Sequence, residues 1–85
     1  MAEVMALIDQ ERIKMNMSAE KFATDIGVTS TTYSRQKNGR QNLGFEAIRA
    51  YARFAKKVGS TDILRALSAY TLEMNPEQIT INPSE

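Results

Sequence analysis

The chain has 85 residues, a net charge of +1, and neither cysteine nor histidine. That composition excludes disulfides, thiolate chemistry and the usual soft metal sites, and it removes the one side chain that titrates unperturbed near neutral pH. The length suits a single modest core, and no apolar run approaches a membrane span, so a soluble cytoplasmic protein is expected. The run Val4–Ile8 is too short for a signal peptide, lacks a basic flank and ends at Asp9. Acid pairs such as Asp9 and Glu11 fall on different faces of a helix, as residues two apart must. No enzymatic activity, cofactor or metal is expected.

Ala2 to Lys14 reads as a first helix, with Val4, Leu7, Ile8 and Met15 at helical spacing on one stripe. Ser18 to Ile26 reads as a second. Ser18 is placed to cap it, Glu20 and Lys21 lie in the first turn, and Phe22, Ala23 and Ile26 face inward. Gly27 follows where the helix must end, at a position whose positive φ is cheapest for glycine. Val28 is a buried plug, and Thr29 or Ser30 can cap a third helix from about Ser30 to Lys37. Ala23, four residues before Gly27, is small enough to let these two helices cross closely, and Tyr33 anchors the third. The outer face of that third helix is Ser30, Thr31, Ser34, Arg35, Lys37 and Asn38: small, polar and basic, with no acid.

Gly39 stops the third helix and opens the polar loop Asn38–Asn42. Phe45 to Val58 reads as a fourth helix with the stripe Phe45, Ile48, Tyr51, Ala52 and Ala55, ended by Gly59. Ser60, Thr61 and Asp62 cap a fifth, which runs from Asp62 to about Glu73 and carries Ile63, Leu64, Leu67, Tyr70 and Met74. This is more apolar surface than five short helices need, although Tyr51 and Tyr70 read as core. Residues 1–75 thus form the domain. In residues 76–85, Pro76 blocks helix continuation, and Ile79-Thr80-Ile81 alternates as a strand does. That segment is either a tail or a short strand that pairs with a second copy.

Charge is unevenly placed. Between Gly27 and Thr61 stand seven basic residues and one acid, Glu46, whereas the rest holds four basic residues and nine acids. Such asymmetry is what an electrostatic footprint on DNA phosphates looks like. Arg49, Arg53, Lys56 and Lys57 either extend the footprint or simply face water on the fourth helix.

Ser18, Phe22-Ala23, Ile26-Gly27-Val28, Thr29, Tyr33-Ser34-Arg35 and Asn38-Gly39 together resemble the helix-turn-helix of the Xre, or phage Cro/C1 repressor, family. The resemblance implies an all-α, five-helix, lambda-repressor-like DNA-binding domain. It also implies a homodimeric, sequence-specific regulator of a bacterium, phage or mobile element, most simply a repressor. Its partner would be double-stranded DNA, which would associate it with the nucleoid. Ser30, Thr31 and Arg35 would then reach base edges in the major groove, and Thr29, Lys37, Asn38 and Arg40 would hold phosphates. Dimer contacts would come from the fifth helix around Leu64, Leu67 and Tyr70, and from Ile79 and Ile81, since some Cro-type repressors pair through C-terminal strands. Other readings of the same fold are a protein-interaction module, such as an antirepressor or co-regulator, and a DNA-binding antitoxin.

Three positions depart from the family pattern. An arginine like Arg12 often pairs with an acid two residues before the glycine closing the recognition helix, but that position here is Lys37. Arg12 must therefore find another acid or face solvent, and Lys37 is freed for a phosphate. Ala19 stands where the family commonly has a glutamine that holds phosphate. Gln36 stands where a large apolar residue is usual, so it should be half exposed or bonded to a nearby backbone group.

Overall fold

The computed structural model describes residues 2–74. Five helices follow one another: α1 Ala2–Lys14, α2 Ala19–Ile26, α3 Ser30–Lys37, α4 Phe45–Val58 and α5 Thr61–Met74. The strand expected at Ile79–Ile81, and its part in a dimer, lie outside the described residues.

The chain signals its own stops. Ser18 accepts the Lys21 N–H at 3.1 Å and so caps α2, an interaction worth about 1 kcal/mol. At the other end Gly27 sits at φ 92°, and the N–H groups of Gly27 and Val28 both donate to the Ala23 carbonyl, at 3.0 and 2.9 Å. A Cβ added to Gly27 would meet no atom within 4 Å, so what glycine supplies there is the left-handed backbone itself. Asn16 adopts the same region at φ 59° and turns the chain out of α1.

The core forms where the five short amphipathic faces meet. Val4, Met5 and Ile8 of α1 join Phe22 and Ala23 of α2, Tyr33 of α3, Tyr51, Phe54 and Ala55 of α4, and Ile63, Leu67 and Tyr70 of α5. Phe22 lies between two rings, edge-on to Tyr33 at 5.3 Å and to Phe54 at 4.9 Å. It thereby ties α2 to both α3 and α4. Ala23 is fully buried where α2 meets α3, as its size requires.

Several sequence expectations are corrected. Met15 is 44% exposed because α1 ends at Lys14 and the Asn16 turn takes it off the stripe; Met5 is buried instead. Val28 is only half-buried. The face of α4 is rotated: Ala47, Ala50, Tyr51, Phe54 and Ala55 point inward, while Phe45 is 66% exposed. Phe54 holds the inward place because it packs edge-on against Phe22. The loop residue Leu43 is buried, its N–H donating to the Tyr70 hydroxyl at 2.9 Å. Because α5 packs on both α1 and α4, Leu67 and Tyr70 belong to this chain's own core. Of the α5 residues expected at a dimer interface, half-buried Leu64 is the most accessible, beside exposed Leu72, and Leu67 lines the same α4–α5 groove.

Candidate nucleic-acid interface

The third helix begins with Thr29, whose hydroxyl oxygen accepts the Thr32 N–H at 3.1 Å and whose proton goes to the Thr32 hydroxyl at 2.9 Å. Thr29 is thus first a cap. Ser30, Thr31, Ser34 and Arg35 are all exposed on the outer face of α3. Among the described residues Arg35 and Arg40 enter no ion pair. At the end of α3, Gly39 at φ 75° folds the chain back, and the Arg40 N–H donates to the Arg35 carbonyl at 2.7 Å. This closure satisfies a helix-end carbonyl and sets Arg40 beside the terminus, with exposed Asn38 at the cap. A cation near a helix C-terminus is also favoured by the helix dipole.

Behind that surface stands a carboxylate on α1. Asp9 Oδ1 accepts from Arg12 Nε at 2.8 Å and from the Tyr33 hydroxyl at 2.7 Å, and Lys37 Nζ lies 3.9 Å away. Arg12 also donates to the Met17 carbonyl at 2.7 Å, closing the α1–α2 turn. The acid that Arg12 needed is therefore its own neighbour one helical turn back. Lys37 leans toward α1 as well, 6.0 Å from the centre of the Tyr33 ring.

The hydrogen bond from Arg12 holds the Asp9 carboxyl below its ordinary value of 3.8, against the opposing effect of burial, with Tyr33 and Lys37 helping. Burial first, then the bond to Asp9, pushes the Tyr33 hydroxyl far above its usual range. Because the folded-state value of Asp9 is lowered, its contribution is complete above 3.8 and is lost as the pH falls through the lowered value. Asp9→Asn should therefore be less stable than the unaltered protein near neutrality, and the difference should shrink in acid. Thermal melts between about pH 6 and about pH 2 measure this.

The inner side of α3 is held by Gln36, which is 2% exposed rather than half exposed. Its Oε1 accepts the Tyr51 hydroxyl at 2.6 Å, and its Nε2 makes a long 3.5 Å contact to the Asn42 carbonyl. The backbone partner foreseen for it is there, and the stronger partner is a tyrosine on α4. No buried side-chain polar atom among the described residues lacks a hydrogen-bond partner.

The structure thus gathers Thr29, Ser30, Thr31, Arg35, Asn38 and Arg40 around one short helix, with Lys37 drawn partly behind it. The basic residues of α4 do not all join them. Arg53 and Lys57 border an apolar groove with Met15, Met17, Ile26 and Val58, on the side where α1, α2 and α4 meet. Sequence reasoning missed Phe45 as a surface residue near the start of α3: with Gln41 and Gly44 it flanks a shallow depression that Thr29 and Thr32 also line. An aromatic in the first turn of a helix, directly after a glycine, was the available signal.

A helix-turn-helix family model matches residues 8–63, which takes in α2, α3 and α4 entirely and most of α1. The chain belongs to this helix-turn-helix family, of Xre/Cro/C1 type, whose members are DNA-binding transcription regulators. Comparison with curated proteins and with solved structures gave no match. Among the described residues no helix is long and apolar enough to cross a membrane.

Proposed function

We propose that this protein is a sequence-specific transcriptional repressor that reads the major groove with α3 as a homodimer. The observation that carries the reading is the outer face of α3: exposed, free of acids, and bearing in Arg35 one long donor not engaged by any described carboxylate. Arg35 then donates two hydrogen bonds to a guanine, Thr31 sets its methyl against a thymine, and Ser30 contacts a neighbouring edge. Thr29, Lys37, Asn38 and Arg40 hold phosphates and set the register. Repression is supported by the resemblance to Cro and phage repressors.

Selecting sites from a random DNA library and then testing Arg35→Ala on the selected site examines this directly. Loss of a bidentate arginine contact should cost about 1–3 kcal/mol and relax preference at one base pair. Equal weakening on all sequences would make Arg35 a phosphate ligand. A protein with little affinity for duplex and no steep salt dependence would instead be an interaction module.

Dimerisation is supported by an open apolar groove between α4 and α5, where Ile48 and Ala52 face Leu64, Leu67, Thr71 and Leu72. A second copy seated there, with Ile79 and Ile81 of the two chains paired across the twofold axis, buries the same patch twice and closes the assembly at two. Half-sites would then lie about one helical turn, roughly 34 Å, apart. Deleting residues 76–85 should shift the protein toward monomer in sedimentation and weaken operator binding, while helical content stays nearly unchanged. A deletion variant that remains a tight dimer would leave the α4–α5 groove as the interface.

A further inference from the structure

We infer that Asp9 is a positioning residue that competes with a DNA phosphate for Lys37, so that α1 reduces how much phosphate charge this lysine neutralises. The inference rests on the DNA-binding reading above and deepens it. Asp9 cannot move to follow a lysine. Its Oδ1 is fixed by Arg12 Nε at 2.8 Å and by the Tyr33 hydroxyl at 2.7 Å, and Arg12 is itself tied to the Met17 carbonyl. Lys37 Nζ, at 3.9 Å from the same oxygen, is beyond hydrogen-bond length but within Coulombic reach. The Lys37 side chain is only 35% exposed, against 70% for Lys14 and 68% for Lys21, whose acid partners lie on their own helices.

Charge counting gives the sense of the restraint. Arg12 already neutralises Asp9, so Lys37 is the surplus cation of the cluster and the one held least tightly. A flexible four-carbon stem gives its ammonium two places to settle, back against Asp9 or outward against a phosphate. The two anions compete for one charge. Sequence-independent binding grows with the number of phosphates neutralised, whereas base reading by Arg35 does not depend on Lys37. By drawing Lys37 inward, Asp9 lowers the contribution that this lysine makes on any duplex, operator or not.

Asp9→Asn isolates the charge, because the amide oxygen can still accept from Arg12 and Tyr33. The probe is a random-sequence duplex, titrated over a salt series with the unaltered protein, Asp9→Asn, Lys37→Ala and the double variant. Asp9→Asn should steepen the log–log salt slope by up to about 0.9, so that between about 50 and 200 mM salt its affinity falls roughly threefold more than that of the unaltered protein. Lys37→Ala should remove that gain in the Asp9→Asn background and change the slope clearly less in the native background. An equal effect of Lys37→Ala in both backgrounds overturns the restraint while leaving DNA binding intact. An unaltered protein with no salt-dependent binding to duplex overturns the DNA-binding reading and the restraint with it. A second measurement covers an Asp9→Asn variant that fails to fold: in the otherwise unaltered protein, Lys37→Ala should flatten the salt slope on random duplex clearly less than Arg40→Ala does, since no described carboxylate holds Arg40, and an equal flattening by the two overturns the restraint.

Discussion

Phe22→Ala is expected to cost about 3–5 kcal/mol, the range for deleting a buried aromatic ring from a core that collapses only partly. The ring is 1% exposed and stands edge-on between Tyr33 and Phe54, so its removal loosens α2 from α3 and α4 together. Domains of this size are stable by only about 5–15 kcal/mol, so a loss of that order leaves the variant near its threshold. Urea unfolding should show a lower midpoint with an unchanged slope, the sign of lost stability without a change in the surface exposed. Operator binding should weaken in parallel, because Tyr33, the anchor of α3, rests on the same ring.

Gln36→Ala is expected to be the next most damaging. It leaves the Tyr51 hydroxyl buried without its acceptor, a loss of about 1–3 kcal/mol, and adds the cost of a cavity. Tyr51→Phe alone should cost about 1–3 kcal/mol, because the Gln36 amide oxygen loses its donor. The double change Gln36→Leu with Tyr51→Phe should recover most of the loss, since both polar partners leave together and the volume is largely kept. A double-mutant cycle read by thermal or urea unfolding measures the coupling. Additive losses would mean that the 2.6 Å bond contributes nothing of its own. Burial has pushed the Tyr51 hydroxyl above its ordinary value of 10.0, so the bond belongs to the neutral phenol.

The helices were legible because their ends are written in local chemistry. Ser18, Gly27, Thr29, Gly39 and Gly59 mark starts and stops that depend on neighbours a few residues away, and the observed bounds follow them within a residue. The exposure of the outer face of α3 was legible for the same reason, since it is the complement of Tyr33 pointing inward. What could not be read depends on partners far along the chain. Asp9 meets Tyr33 across 24 residues, and Gln36 meets Tyr51 across 15. The choice between Phe45 and Phe54 for the inside of α4 turns on where Phe22 lies, which no spacing within α4 can state. The same limit made Leu67 look like spare surface, when it packs into the chain's own core.

The closeness of Lys37 to Asp9 also constrains how this lineage can change. An acid at position 37 would face the Asp9 carboxylate, two like charges with one arginine between them. Position 9 would have to lose its charge before or with that exchange, and the arginine would then swing to the new acid. Homologues that differ at one of these sites should therefore differ at both, with acid and base trading places between α1 and α3. Single exchanges would pass through an intermediate with either an unbalanced acid pair or a lysine left without its counter-charge. Drift at position 37 is thus tied to a residue of α1, away from the outer face of α3 on which Thr31 and Arg35 lie.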